Sequence, residues 1–396
     1  MKICLIRCPS PFLIEDKAFP PLGLLSVGTS LKLQGHDVTI WDKEDLPDGF
    51  DYYGIGPTTP EYAYALYAKE FTPHKKFVIG GPYATLNAQT CVDDGFDCVV
   101  VGDGDIVASE AFEGDQRVIK AEDRPLDEYP MIDRSLIDIK SYENHLNGWL
   151  VTTIVTSKGC PYSCGFCCKN HCSVRLRSAE KVIEEVEYLH SLGYRALMYS
   201  EDIFILDRKR AEAVFKRMKE LEIISRCLVR ADIVVKYGAE FLEMMRDSGC
   251  VEVGMGIESG SDTILKNVNK RESVSTIKKA ILMLKDSGIR VKGFFIVGLP
   301  GESLETLNET RDFLDEMKLD DIDCKIFQPY PGSPIFDNKE NYDIDWDDIP
   351  LQDMFYKGRP GEYFGTIRTS SLTTEQIYNE WVDMESIYKC QKNCLL

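Results

Sequence analysis

The chain has 396 residues, of which 44% are hydrophobic and 28% charged. That composition excludes a disordered chain, and the length suits two or three domains of about 150 residues each. Lys and Arg total 46 against 65 Asp and Glu, a net charge of −19 that repels phosphate backbones and argues against a nucleic-acid partner. No apolar run approaches the ~18 residues of a membrane span. The opening Met1-Lys2-Ile3-Cys4-Leu5-Ile6 reads as a strand and not a signal peptide, so a cytoplasmic protein is expected.

Short apolar runs alternate with helical patterns through residues 1–120. Strands are predicted at 3–6, 38–41, 53–56, 77–79 and 98–101, and helices at 24–33 and 62–70. This alternation builds a Rossmann-like α/β domain: a parallel sheet with helices on its faces and ligands beyond the carboxyl ends of its strands. The loops at those ends are 8–23, 57–60, 80–85 and 102–105, all rich in glycine or proline. Residues 42–51 contain Pro47-Asp48-Gly49 and are too short for a crossover helix, which needs about 10–12 residues at least. One crossover helix is therefore expected to be missing. His36 starts a strand, at the edge of the sheet opposite these loops.

Residues 121–148 carry no strong pattern and read as a linker. Alternation resumes over 149–339. Strands are predicted at 153–156, 196–199, 227–229, 251–254, 291–297 and 323–327, with helices at about 179–192, 208–221, 238–248, 273–287 and 303–317. Six strand-helix steps fit an open, partial (β/α)6 TIM-type barrel, whose catalytic residues sit at strand carboxyl ends. Residues 340–396 form a small acidic C-terminal region with a helix near 373–389. Trp346, Phe355, Tyr356, Tyr363 and Phe364 in it are candidate pocket aromatics.

Of the 14 cysteines, five fall within 160–172: Cys160, Cys164, Cys167, Cys168 and Cys172. In a reducing compartment such crowding points to metal or redox chemistry, not crosslinks. Cys160, Cys164 and Cys167 have the spacing CxxxCxxC, directly after the first barrel strand. Three thiolates in a compact loop suit three irons of a cubane, with the fourth iron open to an outside ligand. A zinc site completed by Cys168, Cys172 or His171 is the alternative, and with it a non-enzymatic zinc or iron-sulfur module. Cys390 and Cys394 near the carboxyl end are candidates for an auxiliary cluster or a redox pair, against the favoured plain reading as thiols of a frayed end.

Ser157-Lys158-Gly159-Cys160-Pro161-Tyr162-Ser163-Cys164-Gly165-Phe166-Cys167 resembles the signature of the radical S-adenosylmethionine (SAM) superfamily. Later strand ends resemble it in order: Tyr199 to Phe204, Arg230-Ala231-Asp232, Gly254 to Gly260, Gly293 to Glu302 and Gln328 to Pro334. The resemblance implies a [4Fe-4S] cluster on Cys160, Cys164 and Cys167, with SAM chelating the open iron. It further implies Phe166 beside the cluster and Glu201 or Asp202 on the SAM amino group. Arg230 would take a carboxylate, Glu258 and Ser259 the ribose, and Ile296 and Gly298 the adenine. Reductive cleavage would give methionine and a 5′-deoxyadenosyl radical acting on a small-molecule or peptide substrate. The electron would come from a donor such as flavodoxin or ferredoxin.

Pro20 to Leu24, Gly35 to Val38, Phe77 to Thr85 and Val101 to Asp105 resemble the cobalamin-binding domain that precedes such barrels. The class includes radical SAM methyltransferases and the anaerobic chlorophyll-ring cyclase. No Asp-x-His-x-x-Gly occurs in the chain, so cobalamin would be held without a histidine below cobalt. The leading expectation is cobalamin-dependent methyl transfer to an unactivated centre. A cobalamin-free cyclisation, rearrangement or oxidation, with the first domain as a lid, is the second. Methylthiolation would need a second cysteine cluster in the first domain, where only Cys8 lies at a strand end.

Overall fold

The computed structural model describes residues 1–393 except positions 12, 14, 44, 73–74, 169–172 and 348–365; in the last helix it describes side chains as far as residue 388. The described chain divides into two compact units, Met1–Asn144 and the part from His145 onward.

The first unit is built on six parallel strands: β1 (Lys2–Ile6), β2 (Asp37–Trp41), β3 (Tyr52–Ile55), β4 (Lys76–Ile79), β5 (Cys98–Val101) and β6 (Val118–Lys120). Their order in the sheet is β2-β1-β3-β4-β5-β6. Successive residues of a strand point to opposite faces, and a parallel sheet covered on both faces is apolar on both. Accordingly Cys4, Ile6, Tyr53, Ile55, Phe77 and Ile79 enter one core cluster. Ile3, Leu5, Val78, Cys98 and Val100 enter the other. Helix Leu22–Leu33 and helix Gly104–Glu113 contribute to the latter; helix Tyr62–Glu70 contributes Tyr62, Ala65 and Ala68 to the former.

No helix lies between β2 and β3 among the described residues, as the composition of 42–51 implied. Phe50, with Leu46 and Trp41 against it, fills that face instead. Residues 126–142, within the stretch read as a linker, make three short 3-10 turns. They pack onto the first unit, with Leu126 and Tyr142 buried and Tyr142 Oη donating to Asp42 at 2.6 Å. Their apolar residues lack any period because no regular element presents them.

The second unit opens with a hairpin, β7 (His145–Leu146) and β8 (Trp149–Ile154). A two-strand ladder follows, β9 (Ser157–Lys158) against β10 (Arg175–Leu176). Then come β11 (Ala196–Tyr199), β12 (Ile224–Val229), β13 (Cys250–Glu258), β14 (Arg290–Val297) and β15 (Asp321–Ile326). The large sheet runs β15-β14-β13-β12-β11-β8-β7 and is parallel from β8 to β15. Each strand lies beside the next in sequence, which is the winding of an open, curled half-barrel. The first barrel strand ends two residues earlier than the sequence suggested, at Ile154, which leaves Thr156 outside it. Ser178, Asp207, Ser273 and Ser303 cap four of the intervening helices by accepting from the backbone three residues on.

The final helix, Thr374–Asn393, covers the otherwise open edge of β15. Trp381 Nε1 donates to the Cys324 carbonyl at 3.0 Å, and the Cys324 amide donates to Glu385 at 2.9 Å. Trp381 is 9% exposed. Replacing it by alanine removes both the packing and this bond, and is expected to lower unfolding stability by about 3–5 kcal/mol. Urea denaturation of Trp381→Ala checks this; an unchanged midpoint would mean that the helix is not part of the core.

Candidate functional site

The cysteine-bearing loop begins where β8 ends. Thr156 is fully buried and is gripped on every polar atom. Its amide donates to Glu201 at 3.0 Å, and its hydroxyl donates to the same carboxylate at 2.5 Å. Its carbonyl accepts from the Arg177 amide at 2.9 Å and from Arg210 Nη2 at 2.9 Å. Immediately beyond, β9 and β10 close the base of the loop. Gly159 sits at the closure with φ +84°, and a Cβ there would stand 2.2 Å from the Ser173 carbonyl. Only glycine allows so close an approach.

Within the loop Cys164 is buried, Cys160, Cys167 and Cys168 are half-buried, and none of the four is in a disulfide. Burial pushes the Cys167 thiol up to about 12, helped by Asp202 and by the neighbouring Cys164, Cys168 and Cys160. Burial also raises the Cys164 thiol, against the opposing pull of Lys270 and Arg230. The three spaced thiols are thus near enough to repel one another as thiolates. Among the described residues no three such side chains close around a single ion. A cubane held through three different irons does not require them to, whereas a tetrahedral zinc site does. The donor set fits the cluster. Cys172 and His171 lie outside the described residues.

Arg230, at the carboxyl end of β12, stacks over the Tyr162 ring at 3.5 Å from its centroid and places Nη1 4.0 Å from Cys164 Sγ. Its other nitrogens serve Asp232 at 3.2 Å and Glu272 at 3.2 Å. Glu258 closes β13 in a left-handed conformation, φ +67°, and accepts from Lys270 Nζ at 2.8 Å.

The structure therefore gathers Cys160, Cys164, Cys167, Asp202, Arg230 and Glu258 about one loop, while other expected residues have different partners. Glu201 is buried and committed to Thr156; burial raises its carboxyl to about 7, against the hydrogen bonds from Thr156 and the charge of Arg210. Asp202 is exposed and acts on Cys167. Ser259 Oγ meets Thr310 Oγ1 at 3.2 Å and accepts from the Ser261 amide at 3.2 Å, on the helix-covered side. Phe166 and Ile296 are half-buried. Gly298, at φ +85°, makes room for Ile367: a Cβ there would lie 2.4 Å from Ile367 Cδ1. Lys270, Glu272, Asn269, Thr156 and Arg210 were not foreseen. Only the burial of a lysine and an arginine amid acids marks them, and burial is not visible in a charged loop sequence.

In the first unit the carboxyl ends of the strands are stitched together. The Gly80 amide donates to the Ile55 carbonyl at 2.9 Å, the Tyr83 amide to Pro57 at 3.1 Å, and the Gly102 amide to Thr85 Oγ1 at 3.1 Å. Arg7 bridges Asp42, at 2.5 Å, and Asp16. Sheet order reverses between β1 and β3, the usual ligand crevice of such sheets. His36 is at the opposite edge, with Nε2 2.9 Å from Ser109 Oγ.

Residues 154–314 match the model of the Radical SAM superfamily. Over 387 residues the chain is 28% identical to an uncharacterized methyltransferase of Pyrococcus horikoshii, an alignment covering 85% of this chain and 83% of that one. It is 31% identical over 196 residues to the anaerobic magnesium-protoporphyrin IX monomethyl ester cyclase of Rubrivivax gelatinosus, which covers 46% of this chain and a third (33%) of the cyclase. Its fold matches the radical SAM methyltransferase TsrM of Kitasatospora setae with TM-score 0.69 at 16% identity, over 86% of this chain and 76% of TsrM. TsrM has been solved with tryptophan substrate and a SAM analogue, and with cobalamin and a [4Fe-4S] cluster. Among the described residues no helix is long and apolar enough to cross a membrane.

The turn after β14 carries a titration of its own. Glu302 is 1% exposed and accepts from the Gly298 amide. Burial pushes its carboxyl from 4.5 to about 8, against the backbone bonds from Gly298 and Leu299. The folded state thus binds more protons than the unfolded one across that window, so this group's contribution to stability is full below it and is lost as pH rises through it. Glu302→Gln is expected to remove that downward slope. Denaturant midpoints of both proteins across the window test this, and identical slopes would contradict it.

Proposed function

The chain belongs to the radical SAM superfamily of enzymes, and from that premise we propose that it is a cobalamin-dependent methyltransferase. The observation that carries the reading is the loop at the carboxyl end of β8, where three cysteines of CxxxCxxC spacing, Cys164 buried and Cys160 and Cys167 half-buried, stand outside any disulfide with Arg230 beside Cys164. Cys160, Cys164 and Cys167 would hold three irons of a [4Fe-4S] cluster. Asp202, exposed and acting on Cys167, would take the SAM amino group, while both Glu201 oxygens hold Thr156. Arg230 Nη1, turned to Cys164, suits the SAM carboxylate. Glu258 suits the ribose, with Lys270 fixing its orientation. When bound, the cluster supplies one electron for SAM cleavage and cobalamin a methyl carrier.

The protein's own part is to orient these groups and to exclude water. Thr156, Gly159 and the β9-β10 ladder fix the base of the loop from which the three thiols would hold the cluster. In the first unit, Gly56 and Gly81 let the turns after β3 and β4 approach each other closely, a Cβ at Gly81 standing 3.0 Å from the Gly56 backbone, and these turns would line one side of a ligand at the β1-β3 crevice. The similarity to a methyltransferase over most of both chains, and the TsrM-like fold, support methyl transfer above cyclisation. The substrate is a small molecule or peptide, and a flavodoxin or ferredoxin is the expected electron donor.

Anaerobic reconstitution with iron, sulfide and hydroxocobalamin, followed by desalting, tests both cofactors. The parent should retain about four irons per chain, close to stoichiometric cobalt, and a base-off cobalamin spectrum. Cys164→Ser should lose most of the iron and SAM cleavage while keeping cobalt. Full iron retention and cleavage by Cys164→Ser would overturn the cluster assignment. Absence of cobalt from a parent that still forms 5′-deoxyadenosine would replace methyl transfer by the cobalamin-free reading.

A further inference from the structure

Residues 268–272, Val-Asn-Lys-Arg-Glu, have the sequence of a solvated turn. They form instead a bracket on Cys164. The Val268 carbonyl accepts from the Gly165 amide at 2.7 Å. Asn269 Nδ2 donates to the Ser163 carbonyl at 2.8 Å and reaches its hydroxyl at 3.1 Å. Both chain neighbours of Cys164 are thus held by consecutive residues of one segment. The next residue, Lys270, is 4% exposed. Its Nζ pairs with Glu258 at 2.8 Å and lies 3.7 Å from Glu272, and its carbonyl accepts from Arg230 Nη2 at 3.1 Å.

The backbone around this pair is strained. Six non-glycine residues among those described have positive φ, and three of them surround Lys270: Glu258 at +67°, Asn269 at +53° and Arg271 at +58°. Left-handed residues of this kind collect where the surroundings over-determine them, commonly at functional sites. A buried lysine is also an expensive way to fill space, since an apolar side chain needs no partner. Both costs are met to place two cations, Lys270 and Arg230, on the Cys164 side of the loop, with Glu272 between them touching both.

We infer that Lys270 and Glu272 are positioning residues that set the reduction potential of the cluster bound at Cys164. The inference rests on the reading of Cys160, Cys164 and Cys167 as the cluster's ligands. One-electron reduction adds one negative charge to the cluster. A fixed cation nearby stabilises that form, an anion opposes it, and burial keeps water from screening either. Potentials of iron-sulfur centres respond to net charge, hydrogen bonding and exposure in this way. Removing the Lys270 charge must therefore lower the potential, and removing the Glu272 charge must raise it. A purely structural bracket gives no reason for opposite signs.

The experiment compares the reconstituted parent with Lys270→Met, Lys270→Arg and Glu272→Gln. Iron per chain is measured first. The midpoint of the one-electron reduction is then followed by electron paramagnetic resonance, poised with dithionite and mediator dyes. Lys270→Met should shift the midpoint to more negative potential, Lys270→Arg should return it close to the parent, and Glu272→Gln should shift it to more positive potential. Equal midpoints in cluster-loaded proteins, or shifts of one sign, overturn the inference and leave the cluster assignment standing. If Lys270→Met assembles no cluster, the direction of the Glu272→Gln shift decides alone. A parent chain that holds no iron-sulfur cluster overturns the assignment and the inference with it.

Discussion

The hold on Thr156 is the constraint from which the rest of the site follows. A single buried residue between β8 and the cysteine loop has its amide, hydroxyl and carbonyl bound by the buried Glu201 and Arg210 and by the half-buried Arg177. Hydrogen bonds to charged groups contribute about 1.5–3 kcal/mol each. Losing one member of a buried charged set costs about 3–5 kcal/mol, because its partner stays buried. The clamp therefore fixes the direction in which the chain leaves the barrel. The β9-β10 ladder and Gly159 turn it back, and the thiols are presented in the remaining span. Their placement depends on the barrel's core at Thr156 together with the glycine at the closure.

The sequence disclosed those parts that local chemistry determines. Apolar runs of strand length separated by helical periods located the central strands of both sheets, while the short edge strands β6 and β7, three and two residues long, were too brief to show a pattern. Cysteine spacing located the loop. What stayed hidden depends on contacts distant in the chain. Glu201 and Asp202 are adjacent acids with equal claim on a SAM amino group. One turns inward to Thr156, 45 residues away, and the other stays exposed. Lys270 lies in a run of polar residues that reads as solvated surface. Ser259 belongs to a motif, yet its hydroxyl serves Thr310 on the covering helix. Gly298 looked like a floor for adenine, and its close neighbour is Ile367, far along the chain. A motif names the residues of a region without assigning each one's partner.

The first unit illustrates compensation. A doubly wound sheet with one crossover helix missing would expose the apolar face beside β2 and β3. Phe50, Leu46 and Trp41 cover it from the short connection itself. The cost falls on the covering layer alone, since the strand order and the β1-β3 reversal are kept. The carboxyl-end rim, where a corrin would need backbone amides and apolar walls, is thus independent of the missing helix. Its own bonds, Gly80 to Ile55 and Gly102 to Thr85, hold it. No histidine approaches it from the described loops; His36 is fixed at the far edge by Ser109.

The central claim is that three cysteines of one loop hold a four-iron cluster with one iron left open for SAM. Mössbauer spectroscopy of the chain reconstituted with iron-57, before and after SAM is added, tests it most directly. A three-cysteine site predicts that one iron of the four has parameters distinct from the others, and that SAM shifts this iron alone. A spectrum that SAM leaves unchanged, with four equivalent irons, would contradict the account.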